Sequence, residues 1–240
     1  MRAILLDNIN FNEFSSGHIF KISGDKAHHL INVVRAQLEE KILLLNGKGL
    51  SAIAQINRID KKEVHCRVQT CTDHSQLCSW DLAVGITKKE ATEDVVRITV
   101  ELGVRALYPL LTQYSQQHWI SSDRQERIVE SAIIQSNNPW RPQIFTPLPL
   151  MDLIQSRLSE YDLILVFIPG EVSTKLKDLP SSLKDLRILI LIGPEGGLSP
   201  DEETQLQGIQ GVQSINLSSP ILRTPTAIIA AWGYLLGYKR

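Results

Sequence analysis

Two textures of hydrophobic and polar positions divide the 240-residue chain. Between residue 19 and about residue 70 the apolar residues come in short runs, Ile19–Ile22, Lys41–Leu45, Leu50–Ile56 and Val64–Gln69. Runs of this length and composition predict β-strands. Ser23-Gly24-Asp25, Asn46-Gly47-Lys48-Gly49 and Asp60-Lys61-Lys62 separate them. The Asn-Gly pair is a hairpin signal, because both residues tolerate a positive φ. One helical stretch, Lys26–Ala36, interrupts the strands, so residues 1–72 read as a small β-barrel. Residues 71–79 are small and polar, which places a linker at 73–79.

From Trp80 the texture changes to strands alternating with helices. Strands are expected at Asp81–Ile86, Ala106–Leu111, Leu163–Ile168, Arg187–Ile192 and Val212–Leu217. Helices are expected at about 90–102, 123–137, 149–158, 199–207 and 225–237. Strands spaced by helices imply right-handed crossovers and a mostly parallel sheet. Residues 80–240 are therefore assigned to one α/β domain.

Composition narrows the setting. With 43% hydrophobic residues the chain can bury a sizeable core. No apolar run approaches the ~18 residues of a membrane span. Arg2 is followed by only a few apolar residues before Asp7, which does not match a signal peptide. Cys66, Cys71 and Cys78 are odd in number and lack CxxC spacing, so reduced thiols and a cytoplasmic location are expected. His65, Cys66, Cys71 and His74 lack the rhythm of a zinc site, and no metal is expected. The net charge of −1 supplies no global field for nucleic acid. Residues 1–72 nevertheless hold 10 Lys/Arg against 7 Asp/Glu, and the rest of the chain 15 against 19.

Chemistry concentrates in two segments. Leu189–Ile192 runs into Gly193-Pro194-Glu195-Gly196-Gly197-Leu198 and then Ser199-Pro200-Asp201-Glu202. Ser199 and Glu202 form a capping box around a helix start that Pro200 suits. The glycines let backbone approach a ligand at the carboxyl end of a buried strand, where open α/β sheets bind small molecules. In the second segment, Asn216 to Ala227, Thr224 reads as an N-cap and Pro225 as the first helical residue. The free N–H groups there suit a carboxylate or phosphate. Arg223 stands just before that helix, placed for the same ligand or as a surface charge.

Leu191 to Glu202 matches the pattern L-I-G-P-E-G-G-L-S-x-x-E without a gap. Leu217, Leu222, Arg223, Thr224, Thr226 and Ala227 match a second pattern, L-G-x-R-x-L-R-T-E-T-A. Glu101-Leu102-Gly103-Val104, His29-Leu30 and Val34-Arg35 extend the match along the chain. On these residues the sequence resembles the knotted methyltransferases of the SPOUT superfamily. The closest resemblance is to the ribosomal small-subunit RNA methyltransferase E family, which methylates N3 of a uridine in 16S rRNA. The resemblance implies an N-terminal PUA-like RNA-binding barrel and a C-terminal α/β domain threaded into a deep trefoil knot. It also implies a homodimer and a bent S-adenosylmethionine in the knot.

Carried over residue by residue, the cofactor loops are Phe167–Gly170, Ile192–Gly197 and Leu217–Leu222, with Phe167, Ile168, Pro169, Ile192, Gly193, Pro194, Gly196, Gly197, Leu217, Ser218, Ile221 and Leu222 as the contacts. Uridine N3 needs its proton removed, so a cation should stabilise the developing anion. Arg223 is the candidate, because it stays charged and works as a clamp rather than a base. Glu195 is the candidate for orienting amides or removing the proton, and it also reads as a turn carboxylate facing a helix N-terminus. Arg2, His29, Arg35 and Lys48 are candidate phosphate contacts, each of which also reads as a solvated surface residue. Gln135 and Asn138 would read a base edge or cap a helix, and Trp140 would stack on a base or fill a core.

The chain departs from the family pattern at several positions. Ser218, Pro220 and Pro225 replace its Gly, Arg and Glu, and Ile98 and Tyr114 replace a Lys and an Arg. Of its Glu-Gln-x-x-Arg, Ile134 to Asn138 keep only Gln135. Two alternatives follow: a catalytically silent RNA-binding relative, or a knotted methyltransferase with a different RNA target.

Overall fold

The computed structural model describes residues 1–7, 16–76, 79–170, 179–180, 182–183, 185–217 and 220–238. Contacts group the chain into two units, residues 1–76 with 130–141, and residues 77–129 with 142–240. The stretch 130–141, which the sequence reading left inside 80–240, thus makes its contacts with the first unit.

In the first unit β1 (Arg2–Leu5), β2 (Ile19–Ser23), β3 (Lys41–Leu45), β4 (Leu50–Ile59) and β5 (Glu63–Asp73) form one sheet in the order β1-β3-β4-β5-β2. The β1–β3 ladder is parallel and the others are antiparallel. Alternate side chains from every strand, among them Ile4, Ile22, Ile42, Leu44, Ala54, Ile56, Val64 and Val68, meet in one core. β1 had no signal in the sequence: four residues are too few for a period to show. It is held by register, Ile4 against Leu44 and Leu5 against Leu45. β5 runs on through Asp73, one residue into the expected linker.

The helix expected over Lys26–Ala36 is shorter and changes its winding. α1 covers Gly24–His28 and passes into a π-helical turn at His29–Val33. The turn closes with Val34 N–H on the His29 carbonyl and Ala36 N–H on the Leu30 carbonyl, at 3.0 and 2.9 Å. Arg35 ends it in the left-handed region at φ 50°, as helix C-termini often do. Burial of Ala27 and Leu30 in the core anchors the segment.

The four residues weighed as a metal cluster do not converge. Cys66 lies in the core, and burial pushes its thiol up to about 12. His74 Nε2 stands 2.8 Å from Ser51 Oγ, and His65 faces Asp60 at 3.4 Å.

The second unit is a parallel sheet in the order β12-β10-β11-β6-β7-β8. Its elements in chain order are β6 (Trp80–Gly85), α2 (Lys89–Glu101), β7 (Ala106–Leu111), the first half of α3 (Ser122–Ser136, which from residue 130 belongs to the first unit), β8 (Gln143–Ile144) and β9 (Leu148–Pro149). Then come α4 (Leu150–Arg157), β10 (Leu163–Phe167), β11 (Ile188–Ile192), α5 (Pro200–Gln207), β12 (Val212–Ile215) and α6 (Thr224–Tyr238). β9 pairs with β7 off the main path. β10 and β11 read Leu-Ile-Leu-Val-Phe and Ile-Leu-Ile-Leu-Ile and are buried throughout, as strands covered on both faces must be. β12 stops at Ile215, two residues earlier than expected, and Asn216 and Leu217 lie outside the strand. No helix of the described residues is long and apolar enough to cross a membrane.

The amino ends of the strands carry a buried polar network. Asp81, fully buried on β6, accepts from both Arg105 Nε (2.9 Å) and Arg105 Nη2, and from Tyr161 Oη (2.7 Å). Burial raises the carboxyl's pKa, while the Arg105 and Tyr161 hydrogen bonds pull it down. Removing Arg105 would leave that carboxylate buried without its cation, a change that costs several kcal/mol in dry interiors. Since the Arg105 side chain is 32% exposed, Arg105→Ala is expected to cost about 2–3 kcal/mol at neutral pH. Tyr161→Phe, which removes one hydrogen bond, is expected to cost about 1–2 kcal/mol. In Arg105→Ala the Asp81 pKa rises further above its unfolded value. The deficit is therefore smallest below the unfolded carboxyl pKa and grows as pH rises through the folded one. Urea unfolding at pH 4.5 and pH 8 measures it, and an equal deficit at both would remove Asp81 from the explanation.

Candidate functional site

β12, β10 and β11 are neighbours in the sheet, and the loops leaving their carboxyl ends border one crevice. Phe167, Ile168 and Pro169 line it after β10; Ile192, Gly193, Pro194, Glu195, Gly196, Gly197 and Leu198 after β11; and Ile215, Asn216 and Leu217 after β12. Pro220, Ile221 and Leu222 continue the wall, and Thr224 and Ala227 close it from the first turn of α6. Of the described residues in the expected cofactor loops, all but Gly170 therefore border the same crevice. Ser218 lies outside the described residues. The sequence reading missed Leu198, Ile215, Asn216, Thr224 and Ala227 as lining residues. The i,i+3 spacing of Thr224 and Ala227, which puts both on one helix face, was the available signal.

The turn after β11 is fixed by contacts within the unit. A Cβ on Gly85, the last residue of β6, would lie 2.3 Å from Pro194 Cδ and 2.5 Å from its nitrogen. Only glycine at 85 lets the two loops stack so closely. Two of the turn's own glycines also serve protein packing: a Cβ on Gly193 would meet the Gly197 carbonyl carbon at 2.9 Å, and one on Gly196 would meet Tyr114 Cβ at 2.9 Å. Gly197 alone combines a positive φ, 73°, with open space. The capping box forms as the sequence predicts. Ser199 Oγ accepts the Glu202 N–H at 3.3 Å and Glu202 Oε2 accepts the Ser199 N–H at 2.8 Å. Glu202 Oε1 also accepts the Gln113 N–H at 2.8 Å, tying the turn to the loop after β7.

Thr224 differs from its expected role. The first α6 hydrogen bond runs from the Ala227 N–H to the Arg223 carbonyl, so Thr224 is the first helical residue and Pro225 the second. The buried Thr224 hydroxyl donates to the Gly193 carbonyl at 3.2 Å instead of capping the helix. Proline at the second position removes an N–H that has no helical partner anyway. Arg223 is exposed between two lining residues and is not itself part of the wall. Glu195 is exposed, and its Oε1 accepts the Lys88 N–H at 3.0 Å, at the start of α2. The turn-carboxylate reading of Glu195 thus has a specific helix end attached to it.

The candidate RNA contacts lie in the first unit. Arg2 is partly committed, with Nη1 on the Val34 carbonyl at 2.6 Å and Nε 3.3 Å from Glu40. His29 and Arg35 are exposed on the π-turn and its exit. Lys48 sits at the tip of a turn whose Lys48 and Leu50 amides are both held by Asn46 Oδ1, at 2.8 and 2.9 Å. Lys48 bridges to Trp140, whose N–H is accepted by Asn138 Oδ1 at 3.0 Å. Lys48, Asn138 and Trp140 are therefore brought together, with Gln135 exposed just before them. The Trp140 ring rests over Gly49, half-buried, which favours its packing role. Of the departures in the second unit, Ile98 is buried at 9% exposure and Tyr114 packs on Gly196.

A parallel sheet with a glycine-cradled crevice at its carboxyl edge, preceded by a small mixed-sheet unit, defines a two-part α/β protein of the ligand-binding kind. A family model described as an RNA methyltransferase domain matches residues 74–236, and one described as an RNA methyltransferase PUA domain matches residues 22–69. The chain belongs to this RNA methyltransferase family. It is 29% identical over 211 residues to the ribosomal RNA small subunit methyltransferase E of Rickettsia conorii, covering 87% of this chain and 85% of that one. The protein of the same name from Aquifex aeolicus is 28% identical, over 96% of this chain and all of that one. A solved ribosomal RNA small subunit methyltransferase E from Neisseria gonorrhoeae, bound to S-adenosyl methionine, superposes with a TM-score of 0.81 at 25% identity. That match covers 99% of this chain and 97% of that one.

The Gly85 contact is directly testable. Gly85→Ala forces a methyl group into the Pro194 ring and backbone, and overpacking of this sort costs about 1–3 kcal/mol. Urea unfolding is expected to show a loss at the upper end of that range. A variant as stable as the parent would show that the turn moves freely.

Proposed function

We propose that the chain transfers a methyl group from S-adenosylmethionine to N3 of a uridine in 16S rRNA of the small ribosomal subunit. The observation that carries this reading is the convergence of the family motif, Leu191 to Glu202, with the loops after β10 and β12 on one crevice. The crevice fits the cofactor's chemistry. Ile192, Leu198, Ile221 and Leu222 offer apolar surface to a nucleoside base, and the side-chain-free Gly196 and Gly197 leave backbone exposed as a wall for polar groups. Phe167, Ile168, Pro169, Gly193, Pro194, Leu217 and Ser218 complete the holding set. When bound, S-adenosylmethionine supplies a sulfonium-activated methyl group.

The protein's part is positioning and charge. Arg223, at the rim of the wall, stabilises the uridine anion as N3 loses its proton. Glu195 holds the turn against α2 through the Lys88 amide and, on its exposed side, is the carboxylate at hand for that proton. Arg2, His29, Arg35 and Lys48, with Gln135 and Asn138, form the RNA-facing set of the first unit. The trefoil knot belongs to the same reading, as does a cytoplasmic location, where the small subunit is assembled. A homodimer is supported by the apolar side chains that α6 leaves exposed, Ile229, Tyr234 and Leu236. The reading needs no metal.

Calorimetry with S-adenosylmethionine is expected to give saturable binding at about one site per chain; a folded protein that binds none would favour the catalytically silent alternative. Arg223→Ala is expected to keep cofactor affinity within about threefold and to lower methyl transfer by about 100-fold or more, the scale of losing one transition-state contact. Full activity in that variant would remove Arg223 from the mechanism. Gly196→Val, which collides with Tyr114, is expected to weaken the cofactor at least tenfold, and unchanged affinity would sink the loop assignment.

A further inference from the structure

A second cleft opens at the carboxyl ends of β6 and β7, beside the glycine turn. It lies between the start of α2, the 116–121 loop and the first turns of α3. Its walls carry Lys88, Lys89, Arg124, Arg127, His118 and Trp119, and no carboxylate. Such a wall attracts anions from several sides, although Glu90, Glu93 and Asp123 stand just behind it on α2 and α3. Arg124 is held by Glu93 through Nε at 2.9 Å and through Nη2. Lys89 and Arg127 are exposed. The Arg127 guanidinium uses its Nε–H on the Asp123 carbonyl at 3.2 Å, which leaves its outer fork for a ligand. Trp119 is half-buried, and its indole N–H is fixed on Gln125 Oε1 at 2.8 Å. A ring held by its edge keeps a face available at little entropic cost.

Cations spaced around a fixed aromatic ring suit a single strand of nucleic acid better than an isolated phosphate, because stacking and backbone neutralisation are both provided. The cleft is also coupled to the crevice, since Glu195 on the glycine turn takes the N–H of Lys88 on the cleft wall. We propose that this cleft binds the single-stranded RNA next to the nucleotide to be methylated. Lys89 and Arg127 neutralise its phosphates, and Trp119 stacks on a flanking base. The inference rests on the proposed function for the identity of the target, while RNA binding by the cleft can be measured without methyl transfer.

The test uses the full chain, a protein-free 16S rRNA transcript and filter binding across about 50–200 mM salt, with S-adenosylmethionine calorimetry in parallel. Lys89→Glu/Arg127→Glu is expected to weaken rRNA binding about 10–100-fold. It should also flatten the log–log salt dependence by about 1.4, the slope of two single-strand phosphate contacts. Cofactor affinity should stay unchanged. The charge-matched variant Lys61→Glu/Lys62→Glu, on the exposed turn between β4 and β5, should change affinity less than threefold. Trp119→Ala is expected to lose about 5–100-fold, with Trp119→Phe recovering most of it, as stacking requires. Wild-type affinity and salt slope in the double variant would overturn the proposal, as would a parent protein that binds no rRNA. A parent that binds rRNA but no cofactor, and still loses rRNA on charge reversal, would support the cleft while ending the methyltransferase reading.

Discussion

The turn from Gly193 to Ser199 is clamped from four sides, and the ligand end of the second unit takes its shape from that clamp. Gly85 admits Pro194 from below, and Thr224 reaches the Gly193 carbonyl from α6. Glu195 takes an amide at the start of α2, and Glu202 takes one from the loop after β7. Each neutral hydrogen bond contributes about 1 kcal/mol and those to the carboxylates somewhat more. Their larger effect is geometric. A glycine-rich turn has the most conformations to lose on ordering, and four anchors from four elements confine it before any ligand arrives.

The clamp also explains which parts of the site were legible in the sequence. Ser199, Pro200 and Glu202 announce a capped helix because the capping box is local, complete within four residues. The use of the second Glu202 oxygen on Gln113, 89 positions away, has no local signature. The same holds for Gly85, whose necessity depends on Pro194 across a strand pair. The buried strands β10 and β11 were plain because apolar runs bounded by turns mark them, whereas β1, with four residues, depends on its partner. Thr224 was misplaced by one residue because a Thr-Pro pair suits a cap equally well, and only a buried carbonyl decides where the hydroxyl goes.

The two ends of the parallel sheet divide the work. At the amino ends Asp81, Arg105 and Tyr161 are turned to one another. At the carboxyl ends the crevice and the cleft beside it present backbone, the Glu195 carboxylate and several cations. A parallel sheet favours this arrangement, because its helices return to the amino ends and leave the loops that follow the strands free to diverge.

The departures from the family pattern fall into two kinds under this geometry. Pro225 stands at the second position of α6, where the missing N–H has no helical partner, and so leaves the helix intact. Ile98 and Tyr114 are different, because they remove cations. Ile98 is buried in α2 and Tyr114 fills the space over Gly196, so neither position can receive a lysine or arginine without remaking its surroundings. A charge lost from these positions has to be supplied from elsewhere if a polyanion is to be held near the crevice. Lys88, Lys89, Arg124 and Arg127 line the cleft one hydrogen bond away from the glycine turn. Those four cations give the ligand end the positive character that Ile98 and Tyr114 do not supply.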